Sequence, residues 1–142
     1  MENLKRDVSV NVCTLQKDED GKSEINANYK GTMYYKSGVC HVFYTEYSDE
    51  GEILSRCKIK CGDGVVEIKR DGSYASRLQF QQGKTFKTVY STPYGDMPVV
   101  TKTKRVLSAV DSMGGKIILD YSMSVAGNDF VNNVVISIEV LD

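Results

Sequence analysis

The stretch from residue 116 to 140, KIILDYSMSVAGNDFVNNVVISIEV, decides the fold class. Apolar side chains occupy every second position from Ile117 to Val125, and the alternation resumes at Phe130 after a turn signal at Ala126 to Asp129. A period of two residues is typical of a strand with one buried face and one wet face, as in antiparallel sheets. The stretch therefore predicts two such strands separated by a turn.

Turn signals divide the rest of the chain in the same way. They fall at residues 18–21, 37–38, 48–51, 62–64, 71–72, 82–83, 92–96 and 112–115, in addition to 126–129. Nine turns imply ten strands, and a turn every 8 to 12 residues or so is typical of antiparallel sandwiches and barrels. We therefore predict an all-β fold of about ten strands that curls around its own core.

The same pattern makes two local predictions. Residues 106–113 also fit helical spacing, but the threonines and valines around them favour a strand that continues through this region. If Ser37-Gly38 forms a two-residue hairpin loop, Tyr34 lies directly opposite His41 on the next strand.

The composition indicates one globular domain over residues 1–142, with 41% hydrophobic and 26% charged residues. The 18 Lys and Arg residues balance 19 Asp and Glu residues, which argues against a nucleic-acid partner bound through its phosphates. Charges interrupt every apolar run, so we expect neither a membrane segment nor a secretory signal, and a cytoplasmic location. Thiols stay reduced there, so Cys13, Cys40, Cys57 and Cys61 are expected to be free.

The sequence offers no set of residues for catalysis or for binding a metal ion or cofactor. His41 is the one histidine and no GxSxG is present, which argues against a nucleophilic triad. On a strand, Cys57 and Cys61 would lie about 13 Å apart, too far to share a zinc ion or a disulfide. No helix follows the glycine pairs, and the acidic turn at 18–21 lacks the spacing of a calcium loop. We therefore expect no enzyme activity, no cofactor and no metal ion.

Five segments in collinear order carry a family resemblance. They are GTMYY (31–35), HVFYTEY (41–47), RDGSYASRLQF (70–80), YSTPYGDMPVVTKT (90–103) and LDYSMSV (119–125). Together they resemble the bacterial family DUF1934, over nearly the whole chain. The resemblance implies a single calycin-like, lipocalin-like antiparallel β-barrel in a small cytoplasmic protein. It implies no activity, because the family is uncharacterised.

A barrel of this kind is compatible with two functions of different classes. The first is the binding of a small amphiphilic or anionic ligand inside the barrel, since barrels of about eight strands can hold one small molecule. The second is an accessory role through protein–protein interaction or self-association, for example as a homodimer. Fold analogy alone favours the first function.

The candidate ligand-binding residues are Arg70, Tyr90, Tyr94 and Tyr121. In one interpretation Arg70, Tyr90 and Tyr94 meet at a barrel mouth, where the guanidinium binds a carboxylate or phosphate and Tyr121 adds a hydroxyl deeper inside. In the other, Arg70 is a structural brace that caps turn carbonyls or pairs with a nearby carboxylate, while the tyrosines close one end of the barrel.

Overall fold

Ten β-strands make up the computed structural model, which describes residues 4–72 and 75–141. The strands are β1 (Leu4–Asp18), β2 (Gly21–Lys36), β3 (Val39–Tyr47), β4 (Ile53–Gly62), β5 (Val65–Gly72), β6 (Ser76–Gln81), β7 (Thr85–Thr92), β8 (Gly95–Asp111), β9 (Gly114–Val125) and β10 (Asn128–Val140). The predicted all-β fold of ten strands is confirmed, and β8 continues through residues 106–111 as expected. Ser73 and Tyr74, in the third family-like segment, lie outside the described residues.

The strands form a meander that closes on itself. Each strand pairs antiparallel with the next one in the chain, except that β6 does not pair with β7. β1 pairs with β10 instead, from Val8↔Val140 to Lys17↔Val131. The result is a nearly closed antiparallel barrel whose two edge strands, β6 and β7, are consecutive in the chain.

The edges β6 and β7 are bridged at one end of the seam between them, and at the other end the turn that connects them bonds to β8. At one end the backbones of Ala75 and Ser91 exchange two hydrogen bonds, of 3.0 and 2.9 Å. At the other end the N–H of Gly83 donates to the carbonyl of Thr103 at 2.8 Å, and the N–H of Thr103 donates to the carbonyl of Lys84 at 3.0 Å. β8 is irregular between Thr103 and Arg105, and such a bulge bends its strand.

Inward-facing apolar side chains fill one end of the barrel. The largest fully buried ones are Phe80, Met33, Ile59, Ile117, Leu119 and Ile136. Cys57 and Cys61 are 3% and 5% exposed, which confirms their predicted buried face. The described residues contain no helix long and apolar enough to cross a membrane.

The hairpin between β2 and β3 has the predicted register. Ser37 and Gly38 form its two-residue loop with φ angles of 53° and 81°, as a type I′ turn requires. Tyr34 pairs with His41, as expected. Cys40 on β3 lies directly opposite Cys61 on β4, but the two do not form a disulfide. All four cysteines are free.

We predict that Cys13 reacts quickly with Ellman's reagent in the native protein, whereas Cys40, Cys57 and Cys61 react slowly. Cys13 is partly exposed and the other three thiols are buried. Burial raises the pKa of Cys40 to about 12, and burial together with the Glu46 carboxylate raises the pKa of Cys57 to about 11, so little reactive thiolate exists at neutral pH.

Titration with Ellman's reagent before and after denaturation measures how many thiols react in each state. Cys13→Ser is the control, because it should remove only the fast phase of the native-state reaction. Rapid native-state labelling of Cys57 or Cys61 would contradict the buried face assigned to β4.

Candidate functional site

A cavity of about 350 Å³ occupies the end of the barrel opposite the packed core. Its walls come from β5 to β10 and from the turn between β9 and β10. Most of the lining is apolar, including Leu78, Met97, Val99, Met123, Val125 and Phe130. Among the described lining residues, Arg70 carries the only charge, and hydroxyl groups come from Ser76, Thr88 and Tyr90.

Small side chains contribute to the cavity lining next to the seam between β6 and β7. Ser76 on β6 and Thr88 on β7 line the cavity, as does Ala126 in the turn between β9 and β10. At the packed end of β6 the corresponding inward residue is Phe80, which is fully buried. Along β6 the inward side chains therefore change from the small Ser76 at the cavity to the large Phe80 at the packed end.

Arg70 lies on β5 directly between Cys57 on β4 and Ser76 on β6. Its guanidinium pairs with the Glu46 carboxylate, with Nε 2.9 Å from Oε1 and Nη2 donating to Oε2 at 3.3 Å. Burial alone lowers the pKa of Arg70, but the Glu46 carboxylate and Cys57 outweigh it and the net shift is upward. One of the two contacts expected of a structural brace, a pair with a nearby carboxylate, is therefore present on the wall of the cavity.

Glu46 is the centre of a polar cluster inside the barrel. The Tyr29 hydroxyl donates to its Oε2 at 3.0 Å, and the Cys57 thiol donates to its Oε1 at 3.4 Å. The Tyr29 ring stacks on Tyr44 with 4.6 Å between ring centroids. Burial and the adjacent carboxylate raise the pKa of Tyr29 to about 12, so the hydroxyl remains a donor at neutral pH. The carboxylate therefore receives hydrogen bonds from three side chains, and the cluster holds Arg70 in place.

Glu46 is a site residue that was not among the predicted ones. The alternation in HVFYTEY could have indicated Glu46, because Glu46 shares a face of the strand with Val42 and Tyr44, which are buried. A charge on a buried face needs a partner. Nothing in the sequence pairs Glu46 with Arg70, which lies 24 positions later.

The four predicted ligand-binding residues have different positions. Arg70 and Tyr90 both line the cavity, as expected. Tyr94 does not meet them: it lies in the turn between β7 and β8, where its N–H donates to Thr92 Oγ1 at 3.1 Å, and it is 93% exposed. The predicted convergence of Arg70, Tyr90 and Tyr94 is therefore wrong for Tyr94, because the turn directs this residue outward.

Tyr121 faces inward, as its parity with Leu119 and Met123 predicted, but it does not line the cavity. Its ring packs against Phe80 with 4.5 Å between centroids, on the packed side of the barrel. Burial raises the pKa of Tyr121 to about 12 even though Asn132 forms a hydrogen bond with its hydroxyl. Tyr121 therefore packs in the core, and the predicted position of its hydroxyl deep in the cavity is wrong.

No group of three or more His, Cys, Asp or Glu side chains in residues 4–72 and 75–141 is arranged to hold a metal ion. The cavity itself is lined by apolar, hydroxyl, amide and guanidinium groups. Such a lining can surround an apolar molecule and form hydrogen bonds to one polar end of it.

Comparison with known proteins assigns the chain to a family. The family model described as "Domain of unknown function (DUF1934)" matches residues 10–138. The chain belongs to the DUF1934 family. This DUF1934 chain is 24% identical over 133 residues to the uncharacterized beta-barrel protein YwiB of Bacillus subtilis (strain 168), covering 93% of the chain and 92% of the relative.

The crystal structure of the ywiB protein from Bacillus subtilis has the same fold. It superposes with a TM-score of 0.86 at 23% identity, covering 97% of this DUF1934 chain and 94% of that one. The relative is described as uncharacterized, so the comparison supplies a β-barrel and no activity.

We predict that the Arg70–Glu46 pair stabilises the barrel more than a surface ion pair does. Arg70→Met, Glu46→Gln and the double variant form one double-mutant cycle, measured by urea unfolding. We expect a coupling energy of about 1 kcal/mol or more, because partly buried charges that share hydrogen bonds interact more strongly than exposed ones.

The control is the outer-surface pair of Arg77 and Glu67, whose side chains approach to 2.8 Å with Arg77 54% exposed. The same cycle there should give about 0.5 kcal/mol or less. Equal coupling energies for the two pairs would contradict the role assigned to the polar cluster.

Proposed function

We propose that this DUF1934 protein binds one small amphiphilic molecule in its barrel cavity, with the apolar part between β5 and β10 and the polar end at Arg70. The observation that carries the proposal is the composition of the lining, in which a single guanidinium faces a chamber of otherwise neutral and largely apolar side chains. A volume of about 350 Å³ lies within the usual range of small-molecule sites.

The polar end of the ligand is an acceptor, with a carboxylate or phosphate as the best match. A guanidinium has five N–H donors, and the contacts to Glu46 involve Nε and Nη2. The remaining donors of Arg70 can bind an acceptor in the cavity. Because Glu46 already neutralises much of the charge, the gain from an anionic head group is smaller than at an unpaired arginine.

Several features support a binding protein in preference to an enzyme. The described lining contains no histidine, carboxylate or cysteine, so it offers no nucleophile with an adjacent base. An antiparallel meander barrel with a ligand-sized interior is the plan of lipocalins, which supports a lipocalin-like, calycin-type protein. Four free cysteines support a cytoplasmic location, where thiols stay reduced.

We predict that alkyl carboxylates and alkyl phosphates of medium chain length raise the melting temperature of the protein and bind in calorimetric titration. Val125→Trp should abolish binding because the indole occupies the cavity that Val125 lines. Val131→Trp is the matched control, since Val131 is 52% exposed and lies outside the cavity. Equal binding by wild type and Val125→Trp would contradict the proposed location.

The head-group preference is tested separately with alkyl alcohols of the same chain length. Arg70→Met should weaken carboxylate binding roughly tenfold or more, as expected for the loss of a charge-assisted hydrogen bond, and change alcohol binding little. If no amphiphile of the three classes binds the wild-type protein, the proposed function is wrong before any variant is made.

A further inference from the structure

The strand β2 extends well beyond its neighbour β3. β2 pairs with β1 along its whole length, from Leu4↔Tyr35 to Asp18↔Gly21. It pairs with β3 only from Gly31↔Tyr44 to Lys36↔Val39. Within the described part of the chain, no strand therefore pairs with the edge of β2 that points away from β1 over residues 22–28. We call this the open edge of β2.

The hairpin loops at the two ends of β2 determine which backbone groups face this open edge. The pairs that close two-residue loops, Asp18↔Gly21 and Lys36↔Val39, exchange backbone hydrogen bonds. From either end, the odd-numbered residues of β2 then bond to β1. The N–H and C=O groups of Lys22, Glu24, Asn26 and Asn28 consequently point to the open edge.

We propose that this edge pairs antiparallel with the same edge of a second copy of the chain, on a two-fold axis at Ile25. Open strand edges are usually shielded by charged side chains, proline, a bulge or a covering segment, and residues 22–28 carry two charges, on Lys22 and Glu24. Residues 22–28, KSEINAN, contain no proline or glycine, and Ile25 in their middle is 56% exposed. A self-complementary edge yields an isologous, closed dimer.

Charge and space disfavour the two registers next to this one. An axis at Glu24 would set that carboxylate against its own copy. An axis at Asn26 would set Lys22 against Lys30 and drive the partner's hairpin turn onto the part of β2 that β3 already covers. Like charges placed opposite each other destabilise a strand pair, so both alternatives are disfavoured.

The axis at Ile25 avoids these conflicts. It pairs Lys22 with Asn28 and Glu24 with Asn26, and each of these pairs can exchange two backbone hydrogen bonds. Ile25 then packs against its own copy and loses contact with water. The partner's acidic turn, residues 18–20, falls beside Lys30, so opposite charges meet where the partner strand ends.

The resulting interface consists of one short strand pair, which is small compared with the roughly 1,200–2,000 Å² of stable complexes. We therefore expect a weak dimer whose population depends on protein concentration. The edge of β2 lies outside the cavity lining, so the dimer neither requires nor excludes a bound ligand.

Sedimentation velocity of the full chain over a wide concentration range tests the proposal. Wild type should form a dimer as concentration rises. Ile25→Lys and Ile25→Glu should each remain monomeric, because each puts like charges on the axis, whereas an equimolar mixture of the two should associate. Leu107→Lys is the control and should dimerise like wild type, since Leu107 is 48% exposed on β8.

A second pair of variants separates backbone pairing from side-chain contact. Asn26→Pro removes an N–H at the open edge without removing a bond to β1, and it should abolish the dimer, whereas Asn26→Ala should preserve it. Monomeric wild type at every concentration, dimers of Ile25→Lys, or a mixture of charge variants that fails to associate would overturn the proposal.

Discussion

The pairing of β1 with β10 is the constraint on which the rest of the structure depends. A sheet with two free edges leaves a row of unpaired backbone groups on each, and closure removes them. Here the first and last strands pair over ten residue positions, from Val8↔Val140 to Lys17↔Val131. In the strand order of the described residues, the break in the sheet therefore falls between β6 and β7, in the middle of the chain.

The position of that seam explains where the cavity lies. The backbones of Ala75 and Ser91 bridge the seam at the cavity end, where the inward side chains include the small Ser76 and Thr88. Farther along the same strands Phe80 fills the interior. The barrel is consequently packed at one end and open at the other, with Arg70 on the wall between them.

The polar cluster around Glu46 lies on the barrel wall between the packed end and the open end. Arg70 and Glu46 are inward-facing charges on neighbouring parts of the wall, and burying either one alone would be costly. Their ion pair, completed by Tyr29 and Cys57, lets a guanidinium stay at the cavity without an unpaired charge in the core. A stabilising contact and a binding contact are therefore compatible in one residue, and the two interpretations of Arg70 do not exclude each other.

The fold was predictable from the sequence because its signals are local. Alternation of apolar residues fixed the faces of the strands, and Ser37-Gly38 fixed the register of a hairpin. The site was only partly predictable, because it depends on which strands meet across the barrel. Tyr90 lines the cavity and Tyr94 does not, although both belong to one motif, since Tyr90 lies on β7 and Tyr94 lies in the exposed turn that follows it. The Arg70–Glu46 contact joins distant segments, and no local pattern encodes it.

The central claim is that the barrel has a packed end and a ligand-accessible end, and methionine methyl NMR tests it most directly. Met97 and Met123 line the cavity, whereas Met33 is fully buried in the core and Met113 is 64% exposed in a turn. During titration with an alkyl carboxylate, we expect large chemical-shift changes for the methyl groups of Met97 and Met123 and small ones for Met33 and Met113. Unchanged Met97 and Met123 signals, or equal changes at all four residues, would contradict it.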